Sequence, residues 1–141
     1  MSTQVEFLLL KSNEQWSATA IESLNKLYAQ YERVLVVSEN RQQLQQLDEL
    51  LWHNSAKQFV PYSLDSECYS NSTSVLLTDA QPLKRRYNAL LNIGAKMSQN
   101  PEQFRSIIEL VSIDENDKEQ ARMHYKHYRH LGFQISHQQL D

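Results

Sequence analysis

The stretch VLVVSENRQQLQQLDELLW, residues 34–52, decides the fold. Its first four residues are a continuous apolar run rich in β-branched side chains, the pattern of a strand buried on both faces. Asn40 then stands where a side-chain oxygen can accept from the first unpaired amides of a helix, and Leu44, Leu47 and Leu51 recur at helical spacing. Upstream, Gln4 to Leu10 reads as a buried strand, and Glu14 to Arg33 as a helix with Ile21, Leu24, Tyr28 and Tyr31 on one face. Downstream, Phe59 to Tyr62 and Ser74 to Thr78 read as strands separated by a polar loop, Ser63 to Thr73. Pro82 to Tyr87 reads as a turn of helix, followed by an apolar run, Ala89 to Ile93, that stops at Gly94. Phe104 to Ile113 is a further strand, and Asp114 to Leu131 a helix with acidic residues first, basic residues after them and Gly132 as its stop. Phe133 to Ser136 adds an edge strand of either sense. Strands alternating with helices predict a Rossmann-like three-layer α/β/α architecture around a mainly parallel sheet, in one domain spanning residues 1–141.

The chemistry usual for that shape is missing. The chain has two glycines, Gly94 and Gly132, so neither GxGxxG nor GxxxxGK[ST] can be written anywhere in it. Side chains at the first βα turn would crowd a pyrophosphate, because glycine is what permits close backbone approach there. No GxSxG elbow is possible either, and pairing Cys68 with His53 as nucleophile and base would rest on nothing but their presence. The expectation is a non-catalytic protein without a cofactor. The single cysteine suits a reducing compartment, no apolar run exceeds the four residues of Phe7 to Leu10, too short to span a bilayer, and no signal segment opens the chain, so the reading is cytoplasmic with no membrane partner. A net charge of −3 disfavours a protein that coats nucleic acid, whose affinity comes mainly from neutralising phosphates.

Four of the five histidines lie in the last eighteen residues, with His124, His127 and His130 spaced by three along the terminal helix. Steps of three drift around a helix by about 60°, so a neighbouring pair could share a metal more easily than all three. No cysteine or carboxylate sits beside them at ligand spacing, and the reading carried forward is no metal.

Two constellations remain. On the terminal helix Lys118, Arg122, Lys126 and Arg129 fall at spacings of four, four and three, one basic stripe with Tyr125 beside it, while Ala121, Tyr128 and Leu131 can face the core. Such a row suits an acidic peptide with an apolar anchor, and it equally complements the negative end of the helix dipole. In the second, LDELLW is followed seven residues after Trp52 by Phe59-Val60-Pro61, and these aromatics are either a patch for a partner helix or part of the core. A direct nucleic-acid surface built from Lys84, Arg85 and Arg86 with the terminal helix is the alternative function.

These stretches, LDELLWHNSAKQFVPYSL at 47–64 and KEQARMHYKHYRHLGF at 118–133, resemble the signature regions of the DNA polymerase III chi subunit family, and the order of elements agrees over nearly the whole chain. The resemblance implies a catalytically inert replication adaptor. In this family one surface pairs with the psi subunit and so with the clamp loader, and another grips the acidic C-terminal tail of single-stranded DNA-binding protein, which ends in a phenylalanine carboxylate; DNA is reached only indirectly. Carried over, the tail-binding positions fall on Lys118, Arg122, Tyr125 and Lys126, with Val111 lining the apolar pocket, and the psi-facing surface on Trp52, Phe59 and Pro61, where a repair helicase can replace psi. The loop Asp65 to Thr73 lacks the glycines often seen in the family, and the histidine-rich helix and the tail Gln134 to Asp141 are peculiar to this chain.

Overall fold

The computed structural model describes residues 3–12, 14–31, 33–53, 62–64, 74–79, 87–94 and 101–139. Seven strands, β1 (Gln4–Leu9), β2 (Val34–Val37), β3 (Tyr62–Leu64), β4 (Val75–Thr78), β5 (Ala89–Asn92), β6 (Ser106–Val111) and β7 (Gln134–Gln139), form one sheet in the order β3-β4-β2-β5-β6-β1-β7. Every pairing in it is parallel. Helices α1 (Gln15–Gln30), α2 (Arg41–His53) and α3 (Glu115–His130) make the crossovers β1–α1–β2, β2–α2–β3 and β6–α3–β7. The first two move along the sheet in one direction and the third in the other. Because parallel crossovers are right-handed, α3 must land on the opposite face from α1 and α2.

The burial pattern follows that division. Leu24 and Leu27 of α1 and Leu44, Leu47 and Leu51 of α2 share a core with Val34, Val36, Leu77, Leu91, Ile108 and Leu110. Tyr128 of α3 shares the other core with the alternate residues of the same strands, Val5, Phe7, Leu35, Leu90, Ile107 and Val111. Period-two alternation assigns each strand residue to one face, which is why central strands here read as unbroken apolar runs.

Several elements depart from the sequence reading. Helix α1 ends at Gln30 because Tyr31 is extended (φ −128, ψ 138), and its buried stripe runs through Ala20, Ser23, Leu24 and Leu27, with Ile21, Tyr28 and Tyr31 only partly buried. Asn40 caps α2 as expected, its Oδ1 accepting from the amide of Gln42 at 3.0 Å. The strand placed at Phe59 to Tyr62 begins instead at Tyr62 and takes in Ser63 and Leu64, so the loop expected from Ser63 starts later; residues 54–61 and 65–73, and the turn placed at Pro82 to Tyr87 up to Arg86, lie outside the described residues. The strand placed at Phe104 to Ile113 is shorter, Ser106–Val111, and is preceded by a 3-10 turn, Pro101–Gln103. The edge strand after Gly132 is longer than expected, and parallel.

Helix α3 stops at a glycine for a physical reason. The amide of Gly132 donates to Arg129 O at 3.0 Å, that of Phe133 donates to Tyr128 O at 3.2 Å, and the rings of Tyr128 and Phe133 stack at 5.8 Å, a Schellman ending that needs a left-handed residue. Gly132 supplies it with φ +83, and a Cβ there would meet no atom within 4 Å. Gly132→Ala should therefore cost about 1–2 kcal/mol through backbone conformation alone, seen as a lower urea midpoint with an unchanged slope. A loss below a few tenths of a kcal/mol would contradict the left-handed assignment.

Candidate functional site

The terminal helix is held at three places. At its start Asp114 Oδ1 accepts from the amide of Asn116 at 3.1 Å, and Ser112 Oγ donates to Asp117 Oδ2 at 2.6 Å. At its end stands the Gly132 turn. In its middle the carboxylate of Glu109, on β6, lies beneath the helix: His124 Nδ1 is 2.8 Å from Glu109 Oε1, and the Tyr128 hydroxyl donates to Glu109 Oε2 at 2.5 Å. All three side chains are buried, so each polar atom depends on the others for the partners that water would otherwise supply. Burial first, and then the Glu109 charge and hydrogen bond, push the Tyr128 phenol well above the ordinary tyrosine range.

This cluster was missed from sequence, although a signal existed. Glu109 is the one charged residue in the strand SIIELV, and His124 and Tyr128 lie four apart on the facing helix. Of the three histidines on the helix, His124 is a buried partner of Glu109, whereas His127 and His130 point outward. Among the described residues no three His, Cys, Asp or Glu side chains gather as a metal site. Leu131, assigned to the core, is exposed, because the Schellman turn brings Phe133 over Tyr128 instead.

With His124 and Tyr128 turned inward, the opposite face of α3 carries Arg122, Lys126 and Arg129 in solvent, with Lys118 half-buried at its flank. Arg122 Nη1 pairs with Glu119 Oε2 at 2.8 Å and Lys118 Nζ with Glu115 Oε1 at 3.8 Å, both at the i,i+3 spacing of one helix. Exposed pairs of this kind are worth at most about 1 kcal/mol, so they are readily exchanged for a better anion. Tyr125 is 37% exposed and its ring centroid lies 6.2 Å from that of Phe7 on β1, anchoring one edge of the stripe to the core. Val111, at the end of β6, is buried and lines a small crevice with Ala121 and His124, behind the stripe rather than in front of it.

The second constellation is described only at Trp52, which is 71% exposed near the end of α2, while Phe59 and Pro61 lie outside the described residues. The core alternative does not hold for Trp52. Lys84, Arg85 and Arg86 likewise lie outside them.

The crevice at the carboxyl ends of the strands, where open α/β sheets usually take a ligand, is small, about 130 Å³, and lined by Trp16, Glu39, Asn40, Gln43, Ser112 and Asp117. Two carboxylates stand there, and a Cβ on Gly94 would come within 2.2 Å of Glu39 Oε2, so the chain packs its own acidic side chain where a phosphate would need room and positive charge. Among the described residues no helix is long and apolar enough to cross a membrane.

Fold and surface together define a doubly wound α/β protein with acidic side chains in the crevice at the carboxyl ends of its strands and a row of exposed cations on the outer face of its terminal helix. The model of the family described as DNA polymerase III chi subunit, HolC, matches residues 1–136, and the chain belongs to that family. It is 32% identical over 107 residues to DNA polymerase III subunit chi of Escherichia coli (strain K12), covering 74% of this chain and 71% of that one. It is 31% identical over 106 residues to the subunit of the same name from Haemophilus influenzae (strain ATCC 51907 / DSM 11121 / KW20 / Rd), covering 74% and 73%. Membership makes it an accessory subunit of a replicative polymerase, associated with the DNA polymerase III holoenzyme.

Proposed function

We propose that this subunit is a non-catalytic, cytoplasmic adaptor, a single domain that links the clamp loader, through psi, to the acidic C-terminal tail of single-stranded DNA-binding protein. The observation that carries the reading is the stripe of Arg122, Lys126 and Lys118 on the outer face of α3 with Tyr125 at its edge. Guanidinium and ammonium groups bind carboxylates through charge-assisted hydrogen bonds, and Arg122 and Lys118 exchange their weak intrahelical partners for them. Tyr125, backed by Phe7, offers the tail's phenylalanine an aromatic wall. The test is titration of a fluorescent peptide copying the last ten residues of the organism's own single-stranded DNA-binding protein, at 50 and 150 mM salt, with unlabelled single-stranded DNA as a competitor. Saturable binding that weakens with salt supports the adaptor. Binding of DNA alone, with a steep salt slope and no peptide binding, would favour the nucleic-acid alternative.

Trp52, with Phe59 and Pro61 beside it in sequence, is proposed to face psi, or a repair helicase in its place. Since Trp52 is exposed, Trp52→Ala should leave stability within about 0.5 kcal/mol. It should weaken psi binding by about 2 kcal/mol or more, as loss of an aromatic anchor does. A urea titration and a psi pull-down read the two effects separately, and an unfolded variant would return Trp52 to a structural role.

A further inference from the structure

The stripe supplies cations on only one side of whatever lies against it. An extended peptide turns successive side chains to opposite sides, so carboxylates at neighbouring positions need donors on two walls. The strand pairing shows what forms the second wall. Helix α3 presents His124 and Gln120 toward Gly94 at the end of β5, in the crevice that also holds Glu109. Tyr125, one residue further and about 100° around the helix, turns to the other flank, over Phe7 of β1. The strand outside β1 is β7, in register Phe7↔His137 and Leu9↔Gln139.

Ile135 packs into the core beneath α3, so alternation along β7 puts His137 and Gln139 on that same face, and both are exposed. His137 therefore stands one strand spacing, about 4.8 Å, outside the Phe7 ring on which Tyr125 rests. Leu9, partly buried, lies between Val111 of β6 and Gln139 of β7 in the row beyond it. Tyr125 of α3 thus stands on one side of Phe7 and the partly buried Leu9, with the cations of α3 above it, and His137 and Gln139 stand on the other side. Neither His137 nor Gln139 is used by the buried cluster or the core.

We propose that the acidic peptide inferred above lies along this edge between α3 and β7, and that His137, with Gln139, is a specificity-determining residue of its second wall, donating to carboxylates that the α3 stripe cannot reach. An imidazole and an amide both carry N–H donors. The inference rests on the peptide-binding reading, since charge complementarity to α3 is what selects the occupant.

The test compares two faces of one strand with the same ten-residue tail peptide. His137→Ala should weaken binding about three- to fivefold, the net worth of one ordinary hydrogen bond. His137→Asp should weaken it about tenfold or more through a like charge beside the peptide. Gln138→Asp adds the same charge one residue away on the opposite face, and it should change affinity less than about twofold at 150 mM salt. Equal effects of His137→Asp and Gln138→Asp would show a net-charge effect and overturn the proposal. Loss of binding in Arg122→Ala with unchanged binding in His137→Asp would overturn it too, while leaving the adaptor reading in place. No binding by the unmodified protein removes the adaptor reading, and this wall with it.

Discussion

Tyr128→Ala should lower the stability of the protein by about 3–5 kcal/mol, the cost of a large aromatic removed from a close-packed core. The side chain is fully buried, its ring meets those of Phe7, His124 and Phe133, and its hydroxyl holds Glu109. Deleting it opens a cavity beneath α3 and leaves a buried carboxylate oxygen without its donor. Tyr128→Phe separates the two losses: packing stays, and only the hydroxyl goes, at about 1–3 kcal/mol for an acceptor left unsatisfied. The same pair predicts an alkaline limit. A phenol raised in the folded state and ordinary in the unfolded one contributes stability in full below the unfolded value of 10.0, which is lost progressively as pH rises above it. Urea midpoints from pH 8 to 11 should fall more steeply for the wild type than for Tyr128→Phe. Parallel curves would mean that the Tyr128 hydroxyl is not held buried beside Glu109 in solution.

Arg122→Ala should weaken tail-peptide binding by about 1.5–3 kcal/mol, the range for a hydrogen bond to a charged group, without unfolding the protein. Arg122 is exposed, so the fold does not depend on it, and its pair with Glu119 must open before a peptide carboxylate can take that place. Glu119→Gln should accordingly bind slightly more tightly, and Arg122→Lys should recover charge but not the bidentate fork. Anisotropy titrations of these variants with one peptide decide the matter. Wild-type affinity in a folded Arg122→Ala protein would move the tail site away from α3.

Much of the fold was legible because strand and helix differ in period. The run at Val34 to Val37 and the leucines of α2 could be read directly, and Asp114 and Gly132 marked the ends of α3 because caps are chemical rather than statistical signals. What escaped was whatever depends on contacts across the sheet. The stripe of α1 was placed on its large residues, whereas α1 nests Ala20 and Ser23 against the sheet and α2 and leaves the tyrosines at the margin. His124 was read with its neighbours at spacing three because nothing local reveals that Glu109, fifteen residues earlier, sits beneath it. The stripe Lys118, Arg122, Lys126 was visible as spacing alone. Its second wall was not, because β7 meets β1 only through a pairing more than a hundred residues apart in the chain.

That pairing also sets the order in which the protein can be completed. β1 emerges first from the ribosome but lies between β6 and β7, the last two strands of the sheet to be made. Val5 and Phe7 are thus apolar surface without neighbours through most of synthesis, as parallel sheets with distant pairings generally require. When β6 arrives it covers one edge of β1 and brings Glu109. Only after α3 has folded back and β7 has closed the other edge do Tyr125 and His137 come to stand on either side of Phe7. The edge where β7 meets β1 is the last part of the sheet to close, so the order of synthesis leaves β1 paired on one side alone until the final strand is made.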